Sequence, residues 1–365
     1  MLNKIVGMIV LAAVGTHVFR ILHSLGYQNT VYKHYPGPCR LLQTPGKGSE
    51  DISVTTNGLA FISSGIRLTR YNLDKSRKPH NTRGRIYLYD FNNPSQNATE
   101  LPFDGDFDVD NFYPHGISLW QDSITGEVLL FVVNHNPKEE RIEIFNFDPK
   151  SLRLKHSKTV NVKTMYSVND VVAVGRESFY FTNDRYSKTW YGQSAEKYLL
   201  LPWGSIGFYD GKKDTLVQTG LLGPNGINIS PDRRFLYVAS IRLGSVTIYS
   251  ISSDNSIKEL KVIPVYTGVD NIEIDPDNGD LWLGCHPQLY LMTSHFANVT
   301  KRSPSQVLRV KFNRKDSYDQ YEIQEVFVDD GALISGSSVA SVYKNKLLVG
   351  SVIHTTVYCD INTLY

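Results

Sequence analysis

From Cys39 onward the chain reads as strand, turn, strand. Apolar, β-branched or aromatic runs such as Val128-Leu129-Leu130-Phe131-Val132-Val133 and Phe235-Leu236-Tyr237-Val238-Ala239 lie between turn signals. Those signals include Asp104-Gly105, Asp210-Gly211, Pro231-Asp232 and Asn278-Gly279. One phrase recurs: N-G-L-A-F-I-S-S at 57, H-G-I-S-L at 115, N-D-V-V-A-V at 169, N-G-I-N-I-S at 225, D-N-I-E-I-D at 270 and S-S-V-A-S-V at 337. Its spacings are 58, 54, 56, 45 and 67 residues. Six copies of one supersecondary unit predict an all-β fold, a six-bladed β-propeller. Two stretches break the rhythm. Residues 185–204 are aromatic and partly helix-like, and residues 287–306 form a long polar-aromatic insertion. Long departures of this kind decorate a rim of the propeller or pack as surface elements.

The N-terminus follows another pattern. Lys4 precedes an apolar run from Ile5 to Val14, and apolar character resumes through Val18, Phe19, Ile21 and Leu22 around His17 and Arg20. Residues 1–25 therefore read as a signal-anchor helix or a cleaved signal peptide. Tyr35-Pro36-Gly37-Pro38 is a linker, and 36–365 is the propeller domain.

Composition narrows the partners. With 41% hydrophobic and 12% aromatic residues the chain can fill a core, and a formal charge of +2 without basic runs argues against nucleic acid. No phosphate-binding glycine loop or zinc spacing is present. The sequons at Asn97 and Asn298 lie in polar loops suited to glycosylation, whereas Asn228 falls inside a strand phrase. Three cysteines, Cys39, Cys285 and Cys359, in a secretory context suggest one bridge and one thiol.

The candidate chemistry sits at or near the recurring phrases, as Glu50-Asp51, His115-Gly116, Asn169-Asp170, Asn225-Gly226 and Asp270-Asn271. In a propeller the innermost strands surround an axial channel, so these residues converge from distant parts of the chain. Carboxylate and amide oxygens on one axis form a hard-oxygen cage suited to calcium.

These segments, with F-Y-P-H-G-I-S at 112–118, V-V-N-H at 132–135, T-N-D at 182–184, G-D-L-W-L-G-C-H-P at 279–287 and V-A-S-V-Y-K at 339–344, resemble the paraoxonase/arylesterase family in order from Cys39 to Cys359. The resemblance implies a central tunnel holding two calcium ions and a disulfide between Cys39 and Cys359. It assigns Glu50, Asn169, Asn225, Asp270 and Asn271 to a catalytic calcium. Asp51, Asp170 and the backbone carbonyl of Ile117 go to a deeper, structural one. It also implies a histidine dyad, His115 and His135, and places Asp184 near the tunnel, where it can orient a histidine or water. A histidine titrates near neutral pH, which suits it to taking a proton from water. Cys285 reads as a buried structural thiol.

Some positions depart from vertebrate members. Gly223 stands where they carry an aromatic residue, Ile66-Arg67-Leu68-Thr69-Arg70 lacks their tyrosine, and Arg185 replaces a histidine. Two functions are thus expected from the resemblance. One is a calcium-dependent hydrolase of lactones and aryl esters in the secretory pathway, membrane-anchored or secreted. The other is a non-enzymatic, membrane-anchored accessory factor or chaperone for degenerin-type sodium channels. The partners implied are a small ester or lactone, a membrane or lipid surface and, on the second reading, an ion-channel subunit; a homo-oligomer stays open.

Overall fold

The computed structural model describes residues 2–66, 83–314 and 317–362. Six sheets built on antiparallel four-stranded meanders enclose an axis, with β1 (Cys39–Leu41) and β6 (Phe103–Asp104) joining outer edges out of that order. Blade 1 holds β2 (Ile52–Val54), β3 (Leu59–Ser64), β4 (Arg85–Asp90) and β5 (Thr99–Glu100). Blade 2 begins at β7 (Pro114–Gln121), continues through β8 (Val128–His135), β9 (Glu140–Asp148) and β10 (Arg153–Val160), and gains β6 (Phe103–Asp104) as a parallel fifth strand. Blades 3, 4 and 5 begin at β11 (Val168–Ala173), β15 (Pro224–Ile229) and β19 (Gly268–Ile274).

Blade 6 closes the ring. Its own strands β23 (Ser337–Tyr343), β24 (Lys346–Ser351) and β25 (Val357–Asp360) are completed by β1 (Cys39–Leu41) from the start of the domain. Cys39 stands opposite Cys359 in that pairing, and the two form a disulfide. A strand borrowed from the other end of the chain leaves no open seam between the first and last blades.

Apolar side chains fill the gaps between blades. Phe61, Leu130 and Phe145 belong to the cluster joining blades 1 and 2, with Phe61 and Phe147 packed edge to face at 5.0 Å. Similar clusters join each later pair, ending with Ala60, Tyr89, Tyr343 and Leu348 between blades 6 and 1. Cys285 is a free, buried thiol in the blade 4–5 cluster, and burial pushes its pKa up.

The first recurring phrase differs in placement from the others. Its run Leu59–Ser64 is the second strand of blade 1, whereas the other five phrases lie on innermost strands. Blade 1 has a three-residue inner strand, so its apolar signal comes from the longer strand beside it.

Helix α1 (Leu2–Ser24) is largely exposed, touching the body midway where His17 Nε2 lies 2.9 Å from the Tyr198 backbone oxygen, with Asn3–Ser24 apolar and long enough to cross a membrane and no part of that window buried. Its end is tied to the body where Tyr27 stacks on Tyr290 at 4.1 Å and Leu25 packs among Ile66, Leu289, Met292 and Val352. The aromatic stretch contains α2 (Trp190–Leu199), N-capped by Thr189, and the polar-aromatic insertion contains α3 (Leu289–Ala297).

Candidate active site

The paired site residues owe their placement to a repeated irregularity. In each innermost strand from blade 2 to blade 6 the pairing register shifts near the strand head: between Pro114 and Ile117, Val168 and Val171, Pro224 and Ile227, Val269 and Ile272, and Ser337 and Val339. The skipped residues include His115-Gly116, Asn169-Asp170, Asn225-Gly226 and Asp270-Asn271. Simple strand alternation predicts that neighbours face opposite sides; the bulge instead frees both from the ladder and re-aims them. Glu50-Asp51 achieves the same placement in blade 1 just ahead of β2.

Two glycines let the strands crowd together. A Cβ on Gly116 would fall 2.2 Å from Asp170 Oδ1, and one on Gly226 would fall 2.6 Å from the Asn271 Cα. Neither position admits a side chain without moving a neighbouring inner strand.

At the upper level Glu50, Asn169, Asn225, Asp270 and Asn271 are all buried. The Asn271 amide donates to the Glu50 backbone oxygen at 3.0 Å and to Glu50 Oε1 at 2.9 Å. Ser338, from blade 6, donates to the same backbone oxygen at 2.6 Å, so three blades fix Glu50. Asp270 Oδ2 lies 2.7 Å from His286 Nε2. Four acceptor oxygens remain buried without a hydrogen-bond partner: Glu50 Oε2, Asn169 Oδ1, Asn225 Oδ1 and Asn271 Oδ1. Buried acceptors without donors are costly, and an oxygen-only set of this kind fits a hard cation such as calcium. Among the described residues no group of three or more His, Cys, Asp and Glu side chains is arranged to hold a metal. The fit therefore rests on the amide oxygens.

The deeper carboxylates differ. Asp51 accepts from the Ile52 and Ile117 amides at 2.9 and 2.7 Å, and Asp170 from the Val171 and Ile227 amides at 2.7 Å each. They leave no orphaned oxygen, and the Ile117 amide is among the donors that hold Asp51. Their fit to a second cation is one of charge. Burial raises the pKa of Asp51, Asp170 and Glu50 well above the carboxylate range, and next in weight are Glu50 acting on Asp51, Asp51 on Asp170 and Asp270 on Glu50. Positive charge on the axis would relieve that repulsion.

Beside the cage lies a relay of side chains. Glu140 Oε2 is 2.7 Å from His135 Nδ1, His135 Nε2 is 2.9 Å from His115 Nδ1, and His115 Nε2 is 3.3 Å from Glu50 Oε1. A carboxylate accepts only, so His135 carries its proton on Nδ1 and donates it to Glu140. His135 Nε2 then accepts from His115 Nδ1–H, and the other ring nitrogen of His115, Nε2, faces Glu50 Oε1 at the cage. Asp184 accepts from the Ser167 hydroxyl and pairs with Arg185 Nε at 3.3 Å.

The Arylesterase family model matches residues 32–361. The chain belongs to the arylesterase family. It is 40% identical over 324 residues to human serum paraoxonase/arylesterase 1, covering 88% of each chain. It is 35% identical over 353 residues to human serum paraoxonase/arylesterase 2, covering 97% of each. Among solved structures, a luciferin-regenerating enzyme superposes with a TM-score of 0.56 at 12% identity, covering 90% of this chain and 96% of that one, which shows a shared fold.

Two residues of this arylesterase-family site escaped the sequence reading. Glu140 stands opposite His135 in the β8–β9 hairpin. The short polar turn 136–139 was the signal for that pairing. His286 was visible beside Cys285, but its bond to Asp270 depends on the β19–β20 (Leu281–His286) pairing, where it sits opposite Gly268. Of the departures, Arg67 to Arg70 lie outside the described residues, as do the last three residues of the domain. Asn97 and Asn298 are exposed, as a glycan would need.

Proposed function

We propose that this chain is a calcium-dependent hydrolase of lactones and aryl esters, anchored in the secretory pathway by α1 with its propeller on the lumenal or extracellular side. The observation that carries the reading is the set of four orphaned oxygens, on Glu50, Asn169, Asn225 and Asn271, beside the Glu140–His135–His115 relay. With Asp270 they would hold one calcium; Asp51, Asp170 and the Ile117 carbonyl would hold a second. A divalent cation in the upper cage supplies Lewis-acid polarisation of the ester carbonyl.

The chain's own residues do the rest. His115 Nε2 takes a proton from the attacking water. The imidazolium that results faces Glu50 Oε1 at 3.3 Å and shares its Nδ1–H with His135. Glu140 holds His135 in the tautomer that makes this direction of transfer available. Bulged strands set these groups in a packed wall, so little reorganisation accompanies the transfer. The Cys39–Cys359 disulfide suits an oxidising compartment.

No observation favours the channel-accessory reading. Hydrolysis of phenyl acetate and of a δ-lactone by the purified full chain, measured with calcium, with a strong chelator and after calcium is restored, tests the proposal. Loss on chelation and recovery on restoration are expected; hydrolysis indifferent to the chelator, or none in calcium, refutes it.

A further inference from the structure

The bulges that re-aim the site residues take them out of the ladder, so another contact must hold the segment that leads into each inner strand. In blades 3, 4 and 6 a polar residue at the end of the second strand does this. Asn183 accepts from the Tyr166 and Ser167 amides at 3.1 and 3.2 Å, and its own amide donates to the Thr164 backbone oxygen and the Ser205 hydroxyl. Ser240 donates to the Leu222 oxygen and Ser351 to the Ser335 oxygen, each at 2.6 Å. These three clamps are neutral.

Blade 2, which carries the dyad, uses a charge. Asn134 lies opposite Pro114, where the bulge begins. Its Oδ1 accepts from the Tyr113 amide at 2.9 Å, and the Tyr113 oxygen accepts from the His135 amide at 3.1 Å. This pair of bonds ties the approach to β7 to the end of β8. His115 follows two residues after Tyr113, and His135 follows Asn134 directly. Asn134 Nδ2 in turn donates to Glu143 Oε1 at 2.9 Å, and Glu143 Oε2 accepts from His156 Nε2 at 3.0 Å and from the Thr159 hydroxyl at 2.5 Å. Asn134 and Glu143 are both buried. Burial pushes the Glu143 carboxyl up, but the bonds from His156, Thr159 and Asn134 outweigh it and hold its pKa below the usual value.

A buried carboxylate is costly, and blade 3 builds the same clamp from neutral groups. The charge therefore serves something that blade 3 does not need. Bonds to an ionised acceptor are roughly twice as strong as neutral ones, and Glu143 accepts three. They stiffen the clamp beneath the two side chains whose spacing governs proton transfer. Glu140 orients the His135 ring, while the clamp sets the backbone from which both rings project.

We propose that Asn134, held by Glu143, is a positioning residue for the proton relay: it fixes the 2.9 Å contact between His115 and His135 and so sets the turnover rate without touching substrate or ion. The kinetic form of this inference rests on the hydrolase reading, whereas the positioning itself does not.

Reversing the polarity of the clamp tests it. In Asn134→Asp the new carboxylate still accepts from Tyr113 but faces Glu143, and two buried like charges repel. Adding Glu143→Gln places a donor opposite that acceptor, while the glutamine oxygen still accepts from His156 and Thr159. The double variant keeps the shape and net charge of the wild type. In Asn134→Asp, kcat for phenyl acetate should fall about 10- to 100-fold, the scale of a misplacement near 1 Å, with KM little changed; the double variant should return to within about threefold of wild type. A clamp that only stabilises the fold would shift Tm and leave kcat per folded chain at the wild-type value. The low-field imidazole proton of the His115–His135 bond, identified by its absence in His115→Gln, reads the geometry without turnover. It should be lost or shifted in Asn134→Asp and restored in the double variant. If no form hydrolyses phenyl acetate but this proton follows that pattern, the hydrolase reading fails and the positioning stands. If Asn134→Asp does not fold, the double variant decides alone, and a wild-type rate and resonance support the clamp. Wild-type kcat in folded Asn134→Asp, or a double variant that fails to fold or to recover, overturns the proposal.

Discussion

Cutting the Cys39–Cys359 bond should cost this propeller much of its thermal stability. The bond closes a loop with a sequence separation of 320 residues. The chain-entropy relation applied to that length gives about 5.7 kcal/mol at room temperature, an upper figure because a real unfolded chain keeps some structure. Without the bond, closure rests on the blade 6–1 apolar cluster and on a three-residue strand with the pairs Cys39–Cys359, Arg40–Tyr358 and Leu41–Val357, helped by the Arg40 guanidinium 4.9 Å above the Tyr358 ring. A propeller of roughly 330 residues has an unfolding entropy near 0.7 kcal/mol/K, so the loss corresponds to about 8 °C in Tm. Calorimetric melts of the full chain in saturating calcium, before and after reduction and for Cys39→Ser with Cys359→Ala, measure it. Reduction tests protein already folded, so a folding defect in the variant does not obscure the answer. A drop below about 2 °C in both would refute the reasoning and show that blade packing alone holds the seam.

Calcium removal should also lower Tm, since an ion bound only by the folded chain adds its binding free energy to stability; Asp170→Ala should mimic the chelator, and superimposable melts would dismiss the deeper site. Asn271→Ala removes a cage oxygen and the amide that donates twice to Glu50, so lactone and ester hydrolysis should fall at least about 100-fold, whereas undiminished turnover would place the chemistry elsewhere. His115→Gln should keep calcium-dependent stability and lose about 100- to 10,000-fold in rate; full activity would exclude it as the base. His295 is buried, and burial holds its pKa below the ordinary histidine value, so the folded state keeps it neutral. The unfolded chain then binds the extra proton, and this contribution to stability, present above about pH 6.5, is lost as pH falls below it. His295→Gln should therefore flatten part of the acid decline in Tm, and an unchanged slope would count against that burial.

The sequence by itself determined the architecture. Six recurring strand phrases require six blades, because each unit buries its apolar faces only against a neighbour, and the free apolar run before Tyr35 belongs to none of them. It also displayed the oxygen donors at or near the strand heads, though their assignment to particular ions came from family resemblance. Only the tertiary structure decided how those donors converge. The inner-strand bulges that turn both members of Asn169-Asp170 or Asp270-Asn271 off the ladder depend on pairing register, which adjacent residues do not encode. The same holds for Glu140 behind His135, His286 on Asp270, and Glu143 behind Asn134. These contacts join residues through cross-strand pairing or through turns between strands, and a hydrogen bond or a charge acts through distance in space, which the ring sets when it closes.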